Sequence, residues 1–249
     1  MTSVLAVDVG NSRVKWGVNK DHQWIAKGQL AHHEIEMLIS HWDELENISY
    51  VIASTVSNHL ITNQLNCIFA SFGFKAHWIA SRSYQCGLKN SYNYLQLGSD
   101  RWAAMIAAWN KFHDSCLVVN IGTAMTVDAI SRNGVFLGGY IVPGPFLQFQ
   151  SLKFNTQINY ATPARYEFFP TTTSSAVHCG IVIALTAMID KSFQLFYKHQ
   201  GYQVQNCILS GGGAEFIQSH IEFSFVEIDN LVLDGLIVIA DDMFQSDPK

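Results

Sequence analysis

The chain has 249 residues, 49% of them hydrophobic and 14% charged, enough to bury a substantial core and too apolar for a disordered segment. Its net charge of -5, without a basic run to offset it, excludes a general nucleic-acid surface. Five cysteines with no Cys-x-x-Cys pair exclude a disulfide scaffold or zinc ribbon and fit a reducing cytoplasm.

"SVLAVDVGNS" (3–12) is an apolar run ending in Gly-Asn-Ser, which predicts a buried strand opening into a tight turn. "RVKWGVN" and "QWIAKGQL" read as strands joined by a hairpin at "KDH". In "AHHEIEMLISHWDELEN" Ile35, Leu38, Ile39, Trp42 and Leu45 recur at helical spacing, predicting an amphipathic helix. "ISYVIAS" is a strand, "NHLITNQLNCIFASFG" a helix, "KAHWIA" a strand, and "GSDRWAAMIAAWNKFH" a helix apolar enough to be buried. Strands at "CLVVNIG", "AMTVDAI" and "GVFLGGYIVPG" follow, then long helix around "SSAVHCGIVIALTAMIDKSFQLFYKH", the strand "NCILSGGG" and a final helix at "DNLVLDGLIVIADDMF". Neither an apolar run of membrane-spanning length nor a signal peptide is expected.

"LVVNIGTA" (117–124) repeats "LAVDVGNS" (5–12) at an offset of 112, with Asn120 in place of Asp8. The repeat predicts an α/β protein of two duplicated halves, 1–115 and 116–249, each a mixed sheet flanked by helices. A strand ending in Asp-x-Gly sets a carboxylate at the sheet's carboxyl end, and the glycine allows backbone N–H groups close to a ligand. Two such turns facing each other would clamp phosphate, with the carboxylate open to Mg²⁺. A single such turn is more often an Asx turn after a buried strand. Lys15, seven residues after Asp8 on the next strand, would return to the same place.

In "GSDRW", Ser99 suits the N-cap of the following helix, with Asp100 and Arg101 in its first turn. Capping alone leaves Arg101 unexplained, since a positive charge is unfavourable there, and an anionic ligand would repair the conflict. "LGGYIVPG" (137–144) and "LSGGGAE" (209–215) would let backbone approach closely, although most glycine-rich turns are only turns.

Taken together, these motifs resemble the type III pantothenate kinases. "DVGNSRVK" (8–15) is similar to that family's first phosphate motif, "GSDR" (98–101) to its Gly-x-Asp-Arg, "GGYIVPG" (138–144) to its Gly-Gly-x-Ile-x-Pro-Gly, and "TTSSAVHCG" (172–180) to its pantothenate segment. The likeness covers essentially the whole chain. It implies an actin-like, sugar-kinase-like fold of two ribonuclease-H-like halves, a homodimer, and conversion of ATP and pantothenate to 4′-phosphopantothenate, the first step of coenzyme A synthesis. It implies that Asp8, Val9, Gly10, Asn11, Ser12, Arg13, Val14, Lys15 and Thr123 hold ATP with Mg²⁺. It makes Asp100 the general base, and Gly98, Ser99, Arg101, Tyr92 and Thr173 the pantothenate contacts. His178 and Cys179 stand where relatives have Gln and Ser; local packing is expected of both. Asn120 stands where relatives use Asp for an activating monovalent cation, K⁺ or NH₄⁺, so weak cation binding is expected. Three other readings belong beside this one. They are a non-catalytic nucleotide-binding accessory protein of the family, a kinase for another small hydroxy acid, and a ribonuclease-H-like nuclease. The nuclease wants clustered carboxylates that Asn120 thins out.

Overall fold

The computed structural model describes residues 3–43, 45, 48–158 and 164–245, without the side chains of 244 and 245. Two packing units make up the chain: Met1–His113 with Gly134–Phe136 and Asn230–Lys249, and Asp114–Asn133 with Leu137–Asp229.

In the first unit β1 (Ser3–Val9) is the central strand, pairing antiparallel with β2 (Arg13–Lys20), which pairs with β3 (Gln23–Ala31). The β2–β3 hairpin closes on Asp21 and His22, with φ of 49° and 63°, the left-handed pair that suits a two-residue turn between twisted strands. The chain then enters a 3-10 segment, His32–Met37, and continues as α1 (Leu38–Asp43). The expected single helix over 31–47 is thus split, and its end at 44, 46 and 47 lies outside the described residues. Parallel strands β4 (Ile48–Thr55) and β5 (Ala76–Trp78) complete the order β3-β2-β1-β4-β5. Between them runs α2 (His59–Ser71), capped by Asn58, whose Oδ1 accepts from the Ile61 amide at 3.1 Å. Trp42 is fully buried and stacks on Phe69 at 5.4 Å and 4°, anchoring α1 and α2 in one core with Leu5, Val7 and Val14. Short strands β6 (Tyr84–Gln85) and β7 (Leu88–Asn90), unexpected from sequence, precede α3 (Ser99–Phe112). Arg101 through Ala108 of α3 are all buried, as the apolar run predicts.

The second unit repeats the arrangement. β8 (Cys116–Ile121) pairs antiparallel with β9 (Ala124–Ile130), followed by β10 (Val135–Pro143). A helix not expected from sequence, α4 (Pro145–Asn155), begins with Pro145 as its first residue, a position where the missing N–H costs nothing. α5 (Thr173–Gln200) is capped by Thr172 and ends at Gly201 in the left-handed region. By length and a mean hydropathy of 1.4 over 18 residues α5 is able to cross a membrane, contrary to the expectation of no such run. Its Val177, Ile181, Leu185 and Ile189, four residues apart, are buried in the core of this unit, which accounts for the apolarity. β11 (Asn206–Ser210) and β12 (Val226–Glu227) give the order β12-β11-β8-β9-β10, the counterpart of β5-β4-β1-β2-β3.

The last helix, α6 (Leu231–Gln245), is adjacent in sequence to the second half but packs with the first unit. A Cβ on Gly235 would collide with the Ala103 carbonyl, so the α3–α6 crossing needs glycine. A division at residue 115 therefore describes the sequence repeat, while α6 crosses back to the first packing unit.

Candidate active site

The antiparallel register of β1 and β2 sets Lys15 directly opposite Asp8, and the parallel register of β1 and β4 sets Ser54 on Asp8's other side. The Ser54 hydroxyl, fully buried, donates to Asp8 Oδ1 at 2.9 Å. Burial and the negative charge of Asp100 push the Asp8 carboxyl up to about 6, while the Ser54 bond and the Lys15 charge pull the other way. Two carboxylates from β1 and α3 therefore share one poorly solvated locality.

The turn after β1 is closed by the Gly10 amide donating to the Arg13 carbonyl at 3.0 Å. That N–H is spent within the hairpin. Asn11, Ser12 and Arg13 are exposed beyond it, whereas Val9 and Val14 are fully buried and can offer a ligand only backbone. The Val9 carbonyl is itself taken by the Val56 amide at 3.1 Å.

At the start of α3 the capping position is Gly98, not Ser99 as the sequence suggests, and no side chain caps there. Ser99 is the first helical residue. Its hydroxyl donates to the Thr55 carbonyl at 3.1 Å and accepts from the Thr55 amide at 3.2 Å. Asp100 Oδ1 accepts from the Arg101 amide at 2.7 Å. Burial raises the Asp100 pKa, opposed by that bond, by the Arg101 charge and by the Asp100 amide itself. Arg101 is only 7% exposed, and its guanidinium carbon lies 5.5 Å from the centre of the Tyr92 ring, which stacks on Phe136 at 5.8 Å. Asp8, Lys15, Asp100, Arg101 and Tyr92 all belong to the first unit.

In the second unit Asn120 stands opposite Thr126 on β9 and beside Ser210 on β11, matching Asp8 between Lys15 and Ser54. The following turn is one residue tighter, closed by the Gly122 amide donating to the Ala124 carbonyl at 2.9 Å. Half-buried Thr123 accepts through its carbonyl from the Gly144 amide at 2.9 Å. A Cβ on Gly144 would strike the Gly122 and Thr123 carbonyls, and one on Gly211, where φ is 93°, the Ile121 carbonyl. At Gly144 of "GGYIVPG" and Gly211 of "LSGGG" it is protein backbone that the missing side chain admits. Thr173, exposed at the first turn of α5, lines an open cavity of about 580 Å³ together with Gln148, Leu152 and Thr172. His178 packs edge-on to Phe216 at 4.9 Å, and burial then His220 lower its pKa. Cys179 is 1% exposed, accepting from the Glu167 amide at 3.2 Å.

Sequence reasoning missed Ser54 and the α4 residues on the cavity. The signal for Ser54 was present: it is a polar residue at the carboxyl end of an apolar strand parallel to β1.

The sequence model of the type III pantothenate kinase family matches residues 4–194. A type III pantothenate kinase of Nitrosospira multiformis is 40% identical over 238 residues, covering 95% of this chain and 90% of that one. One of Nitrosomonas eutropha is 36% identical, with 95% and 94% covered. Among solved structures, a Campylobacter jejuni protein described as a Baf family transcriptional activator aligns at a TM-score of 0.64 and 21% identity, over 97% of this chain and 99% of that one. The activator of 2-hydroxyisocaproyl-CoA dehydratase from Clostridium difficile, solved with ADPNP, aligns at 0.53 and 11%, over 100% and 99%. The structural likenesses carry the fold, two duplicated ribonuclease-H-like units of the actin-like ATPase and sugar-kinase class. The sequence likeness extends over the motifs at Asp8 and Asp100, and by it the chain belongs to the type III pantothenate kinase family.

Proposed function

We propose that the family's reaction, transfer of the γ-phosphoryl group of ATP to the 4′-hydroxyl of pantothenate, runs in this chain at the locality of Asp8 and Asp100. The observation that carries this reading is two half-buried carboxylates, the charge of Asp100 felt at Asp8, with a buried arginine beside Asp100. A primary alcohol does not ionise at neutral pH, so its proton must pass to a base as its oxygen attacks the γ-phosphorus and ADP departs. Asp100 is that base. Its raised pKa makes it a better proton acceptor than an ordinary surface carboxylate, while the Arg101 amide and charge keep it ionised enough to act.

Arg101, held by Tyr92, pairs with the pantothenate carboxylate, a planar anion that suits a guanidinium fork. Gly98, Ser99 and Tyr92 shape that pocket, Ser99 through its backbone since its hydroxyl is engaged elsewhere. Thr173 offers a further hydroxyl from α5. Asp8 through Lys15 and Thr123 hold ATP, with Lys15 on the phosphates. Asp8 fits Mg²⁺, which needs only one or two carboxylates besides waters and phosphate oxygens and would supply neutralisation of phosphate charge. A dication also offsets the electrostatic cost that holds the Asp8 carboxyl near pKa 6.

The neutral Asn120, opposite Thr126, holds a monovalent cation weakly, so K⁺ or NH₄⁺ has little effect on the rate. We further propose a cytoplasmic homodimer, with the repeat boundary near residue 115. The test is ADP and 4′-phosphopantothenate formation from ATP, Mg²⁺ and pantothenate in Na⁺, K⁺ or NH₄⁺ buffer, for the parent and Asp100→Asn. Product in all three buffers is expected from the parent, with a loss on the order of a thousandfold in the variant. An Asp100→Asn protein that keeps the parent rate would overturn the assignment of the base.

A further inference from the structure

The two carboxylates are borne by different elements, β1 and α3, and β4 ties to both. Ser54 on β4 bonds Asp8, and the next residue, Thr55, gives both its amide and its carbonyl to the Ser99 hydroxyl. Ser99 is 7% exposed and immediately precedes Asp100. On the other side Ser81, 8% exposed, donates to the Leu97 carbonyl at 2.9 Å. From the carboxyl end of β4 the spacing of Asp8 and Asp100 is thus set through the hydroxyls of Ser54 and Ser99, each engaged by protein atoms.

We infer that Ser99 is a positioning residue for the kinase reaction. By closing a two-point bond on Thr55 it locks the first turn of α3 to β4 and so fixes Asp100 relative to the Ser54-held Asp8. Its hydroxyl serves this lock and not pantothenate. The inference rests on Asp100 being the base.

A helix start without a side-chain cap is free to shift unless tied elsewhere, and Gly98 provides no such cap. One hydroxyl bonding both polar groups of one residue constrains translation along the strand as well as separation from it. Displacement of a reacting group by about 1 Å costs up to a hundredfold in rate without weakening substrate binding.

The experiment compares Ser99→Ala with Ser115→Ala and Asp100→Asn, at a temperature where melting curves show all folded. Ser115 is fully buried in the second unit and its hydroxyl accepts from the Gln205 amide, so its loss reports the cost of removing a buried, hydrogen-bonded serine of the other unit. Ser99→Ala is expected to lower kcat roughly ten- to a hundredfold, with KM for ATP and pantothenate held within about threefold. Ser115→Ala is expected to change kcat by less than about twofold. The inference falls if Ser99→Ala keeps kcat within about twofold, if Ser115→Ala loses as much, or if the loss appears in KM for pantothenate. Asp100→Asn separates the two levels. If it keeps the parent rate, the base assignment fails; if it loses the rate while Ser99→Ala does not, only the positioning role fails.

Discussion

The two copies of the strand-and-turn differ less in shape than in charge. β1 carries Asp8 one residue before its end, between Lys15 on its antiparallel neighbour and Ser54 on its parallel one; β8 carries Asn120 likewise, between Thr126 and Ser210. The serine and the hairpin closure persist, the second through Gly10 and Gly122. What the second copy lacks is both of the opposite charges that face each other across the strands, carboxylate and ammonium together. An isolated lysine or aspartate left in this half-buried register would carry an uncompensated charge, so joint loss is the electrostatically consistent change. The second turn is instead buttressed by backbone, with Gly144 and Gly211 pressed against it, whereas a Cβ on Gly10 would meet only an ordinary contact. The frame occurs twice, and only the first copy sets a carboxylate opposite an ammonium.

The sharpest way to break this contrast is to make the first copy like the second. Asp8→Asn is expected to lower kcat/KM for ATP on the order of a thousandfold, the scale of losing one electrostatic anchor of a phosphoryl transfer. It should at the same time stabilise the ligand-free protein. In the fold the Asp8 carboxyl stands at about 6 against an ordinary 3.8, so its favourable contribution is complete below pH 3.8 and is lost as pH rises through about 6. Above that window the variant gains at most about 3 kcal/mol, and the gain disappears toward pH 4. Denaturant melts of both proteins at pH 4 and pH 8 measure it. Equal stability at pH 8 would mean that Asp8 is not strained by its surroundings.

Removing only the counter-charge is milder. Lys15→Met is expected to raise KM for ATP about tenfold, with kcat less affected, as a phosphate contact is lost from ground and transition state alike. Because Lys15 lowers the Asp8 pKa, its removal must move the acid limb of kcat/KM toward higher pH. A limb that stays in place would show that the two side chains do not sense one another.

Much of this site was legible because local rules fixed it. The short turn through Gly10, Asn11 and Ser12 sets the β1–β2 register, and register puts Lys15 on Asp8 whatever the rest of the chain does. The buried strands and α3 announced themselves as apolar runs. What escaped depends on residues far apart in sequence. Ser99 resembles an N-cap by its neighbours, yet its hydroxyl turns to Thr55, 44 residues earlier. Arg101 was a conflict in sequence and is resolved under the Tyr92 ring and beside Asp100. α4 was hidden by Pro-Gly-Pro, which reads as turn punctuation although Pro145 is a permitted first residue of a helix. The membership of α6 in the first unit turns on Gly235 fitting against Ala103, a fact that no periodicity carries.

The smallest effect on turnover, and the most direct on the contrast itself, comes from restoring a carboxylate to the second copy. In Asn120→Asp a new negative charge would stand opposite Thr126, where the first copy has Lys15. Without an ammonium partner it must recruit a cation from solution. A unit charge at ~4 Å and an effective dielectric of about 20 contributes on the order of 4 kcal/mol, enough to make monovalent cation binding tight. Saturating K⁺ is therefore expected to raise kcat of the variant only a few-fold, roughly the scale of a positioning effect, while leaving the parent unchanged. The melting temperature should respond more plainly, since a cation bound only by the fold stabilises it in proportion to the logarithm of its concentration above Kd. In Na⁺- and K⁺-free buffer Asn120→Asp should melt below the parent, and added K⁺ should close the gap. If K⁺ moves neither melting nor turnover of the variant, the charge at this position is not what decides cation use, and the difference between the copies lies in the backbone around them.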